Sequence, residues 1–484
     1  ANHFNKNFYS SILAGIIFTF STYHVAQSSV HIGLSMIIFI PIFVLILFKI
    51  TEKNSKTLAV IGSIFFFLVS ISHVYYLITI LIFSGIFFAY YLFKQKKISN
   101  KVFISNFLIT IIIGVIAALI VFSPILSTSD DLHKRPLGEH VNFSANLENF
   151  VIPTKLHSHQ YFSDNSLINS LFLAFNQPNC ENVSPETMPD CINQPTYNIE
   201  QISVFLGYSV IFLATLSIVK FRNQLTWFWL LICGVFAMLC LGPELKIYNE
   251  LTGIFLPEKI LYENIPWWDD FRAPARFIVM VNLGMSILAS TAVYGLIKKN
   301  FFGNTKQYAL LGIIAVVILF ELSAVPYSTH EEPIPNGYEL IKNDKTDFII
   351  FESPNGGTGD FGSLTSPSFQ YYQTYHEKPI YGGHESRVPL DTLANTNTYF
   401  LNMFNFYGKK ADIVDQDLKI HGTSLFNYYD IKYLIIHKTL KELAFFQNYN
   451  SKIFVPETKD LMNEILETKK PFYEDDEILV YKIP

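Results

Sequence analysis

The feature that most constrains this chain is the series of long apolar runs filling the stretch before Pro326. A bilayer core roughly 30 Å thick takes about 20 apolar residues per helix. By that measure there are about nine spans, at residues 8–26, 31–50, 57–72, 74–93, 102–126, 202–219, 225–241, 277–297 and 308–325. The third and fourth are short and abut at His73, which makes them the least secure pair. Only 15% of the 484 residues are charged, against about 25% in an ordinary soluble chain. The charges that do occur crowd the stretch after Pro326. Two physical regimes therefore share one polypeptide.

Lysine and arginine test the count independently, because loops left in the cytoplasm keep their positive charge. Lys6 precedes the first span. Lys49, Lys53 and Lys56 follow the second, and Lys94, Lys96, Lys97 and Lys101 the fourth. Lys220 and Arg222 follow the sixth, and Lys298, Lys299 and Lys306 the eighth. The turns around Ser28 and His73 carry neither residue. Every second connection is basic, which puts the N-terminus inside and the long loops and the C-terminal region outside. The fold class expected is a polytopic α-helical membrane protein with a C-terminal extracytoplasmic α/β or α+β domain. Its parts are five helices in 1–126, a large outer loop in 127–200, four helices in 201–326 with an interfacial segment at 243–276, and the outer domain in 327–484.

The cysteines agree with that orientation. Cys180 and Cys191 lie in the outer loop, where a disulfide persists; the other reading is two unrelated thiols. Cys233 and Cys240 are seven apart in an apolar helix, on one face, and read as core. Asn142-Phe143-Ser144 and Asn182-Val183-Ser184 fit the N-glycosylation sequon. Trp267 and Trp268, before the eighth span, have the look of an interfacial aromatic belt. After Pro326, short apolar runs at 347–352, 379–381, 431–437 and 478–483 read as strands, with helical stretches at 440–448 and 459–468.

Few motifs carry chemistry. Gly357-Thr358-Gly359-Asp360-Phe361-Gly362 matches the dinucleotide glycine fingerprint, which needs a helix opening at its third glycine. Ser363-Leu364-Thr365-Ser366-Pro367 is a poor helix start, and a glycine-rich loop is the better reading. His157 with His159, and His376 with His384 and Glu385, lack the spacing of a zinc motif, so no metal is assigned. Arg272 and Arg276 flank Pro274, a residue suited to a first helical turn. Two guanidiniums beside a helix N-terminus make a clamp for phosphate. They equally suit snorkelling to lipid headgroups or pairing with Asp269 and Asp270. Asp130 and Asp131, where the fifth span emerges, are candidates to deprotonate an acceptor or hold a cation, set against a solvated turn.

The order of several short motifs resembles prokaryotic members of the GT-C superfamily of membrane glycosyltransferases. They are Phe20-Ser21-Thr22-Tyr23-His24, Ile40-Pro41, Asn149-Phe150-Val151-Ile152-Pro153, Leu241-Gly242-Pro243-Glu244-Leu245, and Phe271 to Phe277. The tail is similar too, over Tyr371 to Ile380 and Gly382-Gly383-His384-Glu385-Ser386-Arg387. The resemblance implies sugar transfer from a polyprenyl-phosphate carrier to a glycan, lipid or protein acceptor on the outer face of the cell membrane. Arg272 and Arg276 would hold the carrier phosphate, and a divalent cation is left open. In that superfamily an acidic residue in the first outer loop commonly serves as base or metal partner. This chain begins at Ala1, at what would be the third span, so that loop is absent; the catalytic residue stays unknown and the fragment is expected to be inactive. A transporter or lipid-carrier flippase, and a non-catalytic surface scaffold, are the competing classes. Membrane lipid is an expected partner and nucleic acid is not.

Overall fold

The computed structural model describes residues 1–53, 55–94, 100–127, 136–153, 203–266, 268–299, 304–322, 333–354, 367–382, 414–438, 451–468 and 470–484. These fall into two compact units, one within 1–328 and one within 329–484.

The first unit is helical. Ile32–Glu52, Val74–Lys94, Lys101–Pro124 and Pro274–Lys298 are each long and apolar enough to cross a membrane. The bent pair Phe8–Thr19 and Thr22–Ser28, at 47°, adds a fifth if it is one span. Lys56–Ser72, Tyr208–Lys220, Gln224–Cys240 and Ala309–Leu322 are apolar but only 10–17 residues long. Polar caps explain several of these limits. The Ser55 hydroxyl accepts from Leu58 N, and the ring of His73, an extended residue, accepts from Tyr75 N, so His73 separates two helices. Asn223 and Thr226 close a reciprocal capping box. The sixth run starts at Tyr208 rather than Ile202, because Gly207 has a φ of 85°, outside helical space. The first breaks where Ser21 turns extended and its hydroxyl donates to Phe18 O at 2.9 Å.

Small residues let helices approach. A Cβ on Gly114 would lie 2.6 Å from the Phe66 ring, and one on Gly62 would lie 2.8 Å from Thr110. The same two helices, Lys56–Ser72 and Lys101–Ser127, are tied by Thr110 Oγ1 donating to Ala59 O at 3.1 Å. Farther along the chain, Glu321 accepts from the Tyr208 and Ser209 amides and so caps the Tyr208–Lys220 helix from a remote segment. Cys233 and Cys240 are both buried in the Gln224–Cys240 helix.

The expected interfacial segment is folded rather than laid flat. Strands β1 (Glu244–Ile247) and β2 (Glu250–Phe255) form an antiparallel hairpin. Its turn places Tyr248 and Asn249 at φ of 52° and 62°, the left-handed pair that a two-residue hairpin loop requires. The helix Pro257–Asn264 follows.

In the second unit, β3 (Ile349–Ser353), β4 (Ile431–His437), β6 (Ile478–Lys482) and β5 (Tyr473–Glu474) make a sheet in the order β3-β4-β6-β5. β3 and β4 are parallel; the other pairs are antiparallel. Side chains alternate between faces. Leu434 and Ile436 pack with Phe426, Leu461 and Met462, on the helices Val414–Tyr428 and Ser451–Ile465. Tyr433 and Ile435 pack with Tyr338, Ile341, Phe369 and Tyr372, on Gly337–Asn343 and Pro367–His376. The sheet thus lies between helices on both faces, and an α/β unit results. The expected run at 379–381 supplies only an isolated bridge, Ile380 to Ile350.

Candidate functional site

Pro274 opens a 3-10 turn, Pro274–Phe277, that runs into the Ile278–Lys298 helix. Proline fits there because the first helical N–H has no intrahelical acceptor to lose. The turn is fastened from outside: Ala273 N donates to Tyr75 Oη at 2.8 Å and Ala275 N to Phe143 O at 3.3 Å. Arg276 is consequently held in the interior, 6% exposed. Its Cζ lies 4.7 Å from the Tyr75 ring centroid, while the Arg272 Cζ lies 4.8 Å from that of Phe143. Both rings belong to one aromatic patch with Phe271 and Ala273. A guanidinium over an aromatic face is attracted by the ring's negative face, which helps hold each cation in place.

His73, in the turn between Lys56–Ser72 and Val74–Ala89, reports the local field. Burial first, then the neighbouring Arg276 and His31, together push its imidazole down to about 4. Arg276 is the charged side chain that His73 faces in this corner.

A second buried cluster in this unit was not legible in the sequence. Glu258 Oε1 accepts from Trp268 Nε1 at 2.7 Å and lies 2.9 Å from His140 Nδ1; His140 Nε2 faces Asp269 O at 3.4 Å. All three side chains are buried. This corrects the aromatic-belt reading for Trp268, since a buried carboxylate needs donors and the indole N–H is one. Trp267 lies outside the described residues. The sequon at Asn142 is also altered: Ser144 is fully buried and its hydroxyl donates to Val141 O at 2.8 Å.

The second unit holds another cluster, at the carboxyl ends of the parallel strands β3 and β4. Period-two alternation puts Glu352 and His437 on the same sheet face, where His437 Nε2 lies 2.8 Å from Glu352 Oε2. Tyr338 Oη donates to both Glu352 oxygens, at 2.9 and 3.0 Å. Burial first, then the Glu352 carboxylate, pushes the Tyr338 phenol well above its ordinary range. His376 stacks on Tyr338, with ring centroids 5.4 Å apart and planes at 10°. Its Nδ1 accepts from Lys378 N at 3.0 Å, which places the ring proton on Nε2, a buried atom with no partner among the described residues. Burial holds the His376 imidazole below its ordinary value. His376 was singled out in the sequence; Glu352, Tyr338 and His437 were not.

Asp130, Asp131, Cys180, Cys191, His157, His159, His384, Glu385 and the glycine-rich loop lie outside the described residues. No group of three metal-capable side chains occurs among the described residues.

A family model described as Domain of unknown function (DUF6311) matches residues 1–323. No curated protein matches the chain.

Proposed function

We propose that this chain, which belongs to the DUF6311 family, is an integral membrane glycosyltransferase that moves a sugar from a polyprenyl-phosphate carrier to an acceptor on the outer face of the membrane. The observation that carries the reading is Arg276, buried on a proline-opened turn at the head of an apolar helix and stacked on Tyr75 beside a neutral His73. When a sugar leaves its carrier, negative charge develops on the carrier phosphate. A fixed guanidinium stabilises that charge without having to reorganise, and the dipole of the helix that follows adds to the same field. Arg272, over the neighbouring Phe143 ring, supplies the second arm.

In this reading the helical unit provides about nine membrane passages, the shorter helices included, and the unit within 329–484 receives the acceptor outside the cell. The residue that deprotonates the acceptor is left unnamed; Asp130 and Asp131 remain its candidates.

The test is transfer from a radiolabelled polyprenyl-phosphate sugar by the full-length protein in vesicles. Arg276→Lys and Arg272→Lys should each lose about 1.5–3 kcal/mol of a charge-assisted contact, a drop of roughly ten-fold or more in donor use. Membrane insertion should not change. Parental transfer rates in both variants would refute the phosphate assignment.

A further inference from the structure

Gln27 lies on the Thr22–Val30 helix and is fully buried. Its Oε1 can only accept, so the 3.0 Å contact with His31 Nδ1 places a ring proton on that nitrogen. The amide nitrogen of Gln27, a donor, has no partner among the described residues. A buried donor left unpaired costs free energy unless something accepts from it.

The neighbours of that amide border the Arg276 corner. Tyr23, one helical turn before Gln27, shares its helix face, and Tyr23 Oη is 3.2 Å from Tyr76 Oη. Beyond Gln27, the chain closes on His73: a Cβ on Gly33 would lie 3.1 Å from Ser72 O and 3.5 Å from the His73 ring. Arg276 and His31 both act on the His73 imidazole, and the Arg276 guanidinium sits over Tyr75, the residue before Tyr76. Gln27 thus stands between a contact to Tyr76 on one side and one to His73 on the other. His73 Nδ1 accepts from Tyr75 N, so the ring proton of the neutral imidazole is on Nε2. Gln27, His73 and Arg276 all bring donors to this corner.

We propose that the Gln27 amide donates to an oxygen of the lipid-borne phosphate that Arg276 holds. The ligand follows from that donor set. A metal cation would be repelled by the guanidinium, and a water would add donors of its own. Phosphate oxygens only accept, and their charge strengthens each bond they receive. The proposal rests on the carrier-phosphate reading and adds to it a neutral arm from a different helix.

The full chain in phosphatidylcholine vesicles is titrated with a polyprenyl phosphate and, separately, with the matching polyprenol, which lacks the phosphate. The parental protein should bind the phosphate form more tightly. Gln27→Met keeps the length of the side chain and loses its donors, and should reduce that preference roughly ten-fold. Gln27→Glu keeps the acceptor for His31 and adds a negative charge, and should reduce it further. Binding of the alcohol should stay at the parental level in both. A parental preference in Gln27→Met, alongside its loss in Arg276→Lys, overturns the role of Gln27 alone; it is the result expected where a buried water satisfies the amide. A variant in which binding of the two lipids falls together keeps the preference and overturns it equally. No preference in the parental protein overturns the carrier-phosphate reading as well. Displacement of the lipid by millimolar inorganic phosphate would assign the corner to the free ion and overturn the lipid-borne source.

Discussion

At the scale of single residues, the buried polar groups are where a substitution has the largest effect. Glu258 is 1% exposed and receives Trp268 while facing His140. Glu258→Ala orphans both partners in the interior, and breaking such a set costs about 3–5 kcal/mol. Glu258→Gln keeps an acceptor for the indole and should cost clearly less. Thermal unfolding of the detergent-purified protein decides this; equal midpoints for the two variants would contradict the assigned hydrogen bonds. His376 gives a pH effect of definite sign. Its folded pKa is lowered, so below the unfolded value of about 6.5 the unfolded chain binds the proton more readily, and stability falls as pH drops through that range. Protection factors of the β3 and β4 amides, corrected for the intrinsic exchange rate at each pH, should therefore fall between neutral and mildly acidic pH, with a smaller fall in His376→Phe. An identical pH response in the two proteins would remove His376 as the cause. Arg276 could be picked out in the sequence because Pro274 marks a helix start locally. Glu258 could not, because its partners stand 118 and 10 residues away and a lone glutamate in a charged stretch reads as solvated.

At the scale of elements, helix ends depended on both local and remote groups. Asn7, Ser55, His73 and Asn223 cap the helices that follow them from directly adjacent positions, and an asparagine or serine before an apolar run is a readable signal. The Tyr208–Lys220 helix is different, since Gly207 offers no side chain and Glu321 reaches its first amides from 112 and 113 residues away. Glu321→Ala should remove those bonds at a cost in the range of a lost cap, about 0.5–2 kcal/mol. Faster exchange confined to amides 208–211 is the expected readout, and unchanged protection there would show that the cap contributes nothing. The hairpin of β1 and β2 was likewise missed, because Tyr248-Asn249 is an unusual pair for two left-handed positions. Asn249 holds its place through Asn146, whose side chain donates to Asn249 Oδ1 at 2.8 Å.

At the scale of the molecule, the second unit has a complete core of its own, with apolar residues on both faces of a four-stranded sheet. A fragment beginning at residue 329 is expected to fold alone and unfold in a single cooperative denaturant transition; a gradual, non-cooperative loss of far-ultraviolet signal would show otherwise. The alternation from helical runs to short strands across Pro326 was visible in the sequence, since hydropathy and its period are properties of neighbouring residues. Strands β3, β4 and β6 were readable for that reason, whereas β5, two residues long, has no period to detect. The sequence by itself thus determined where apolar helices form, where the α/β unit begins, and which arginines stand at a helix head. Only the tertiary structure decided that Arg276 is buried against Tyr75, that Trp268 turns inward to Glu258, and that Glu352, His437, Tyr338 and His376 share one face of a sheet. Those arrangements join residues far apart in the chain, and their energies come from burial and from pairing polar groups that burial would otherwise strand, quantities that exist only once the elements have packed.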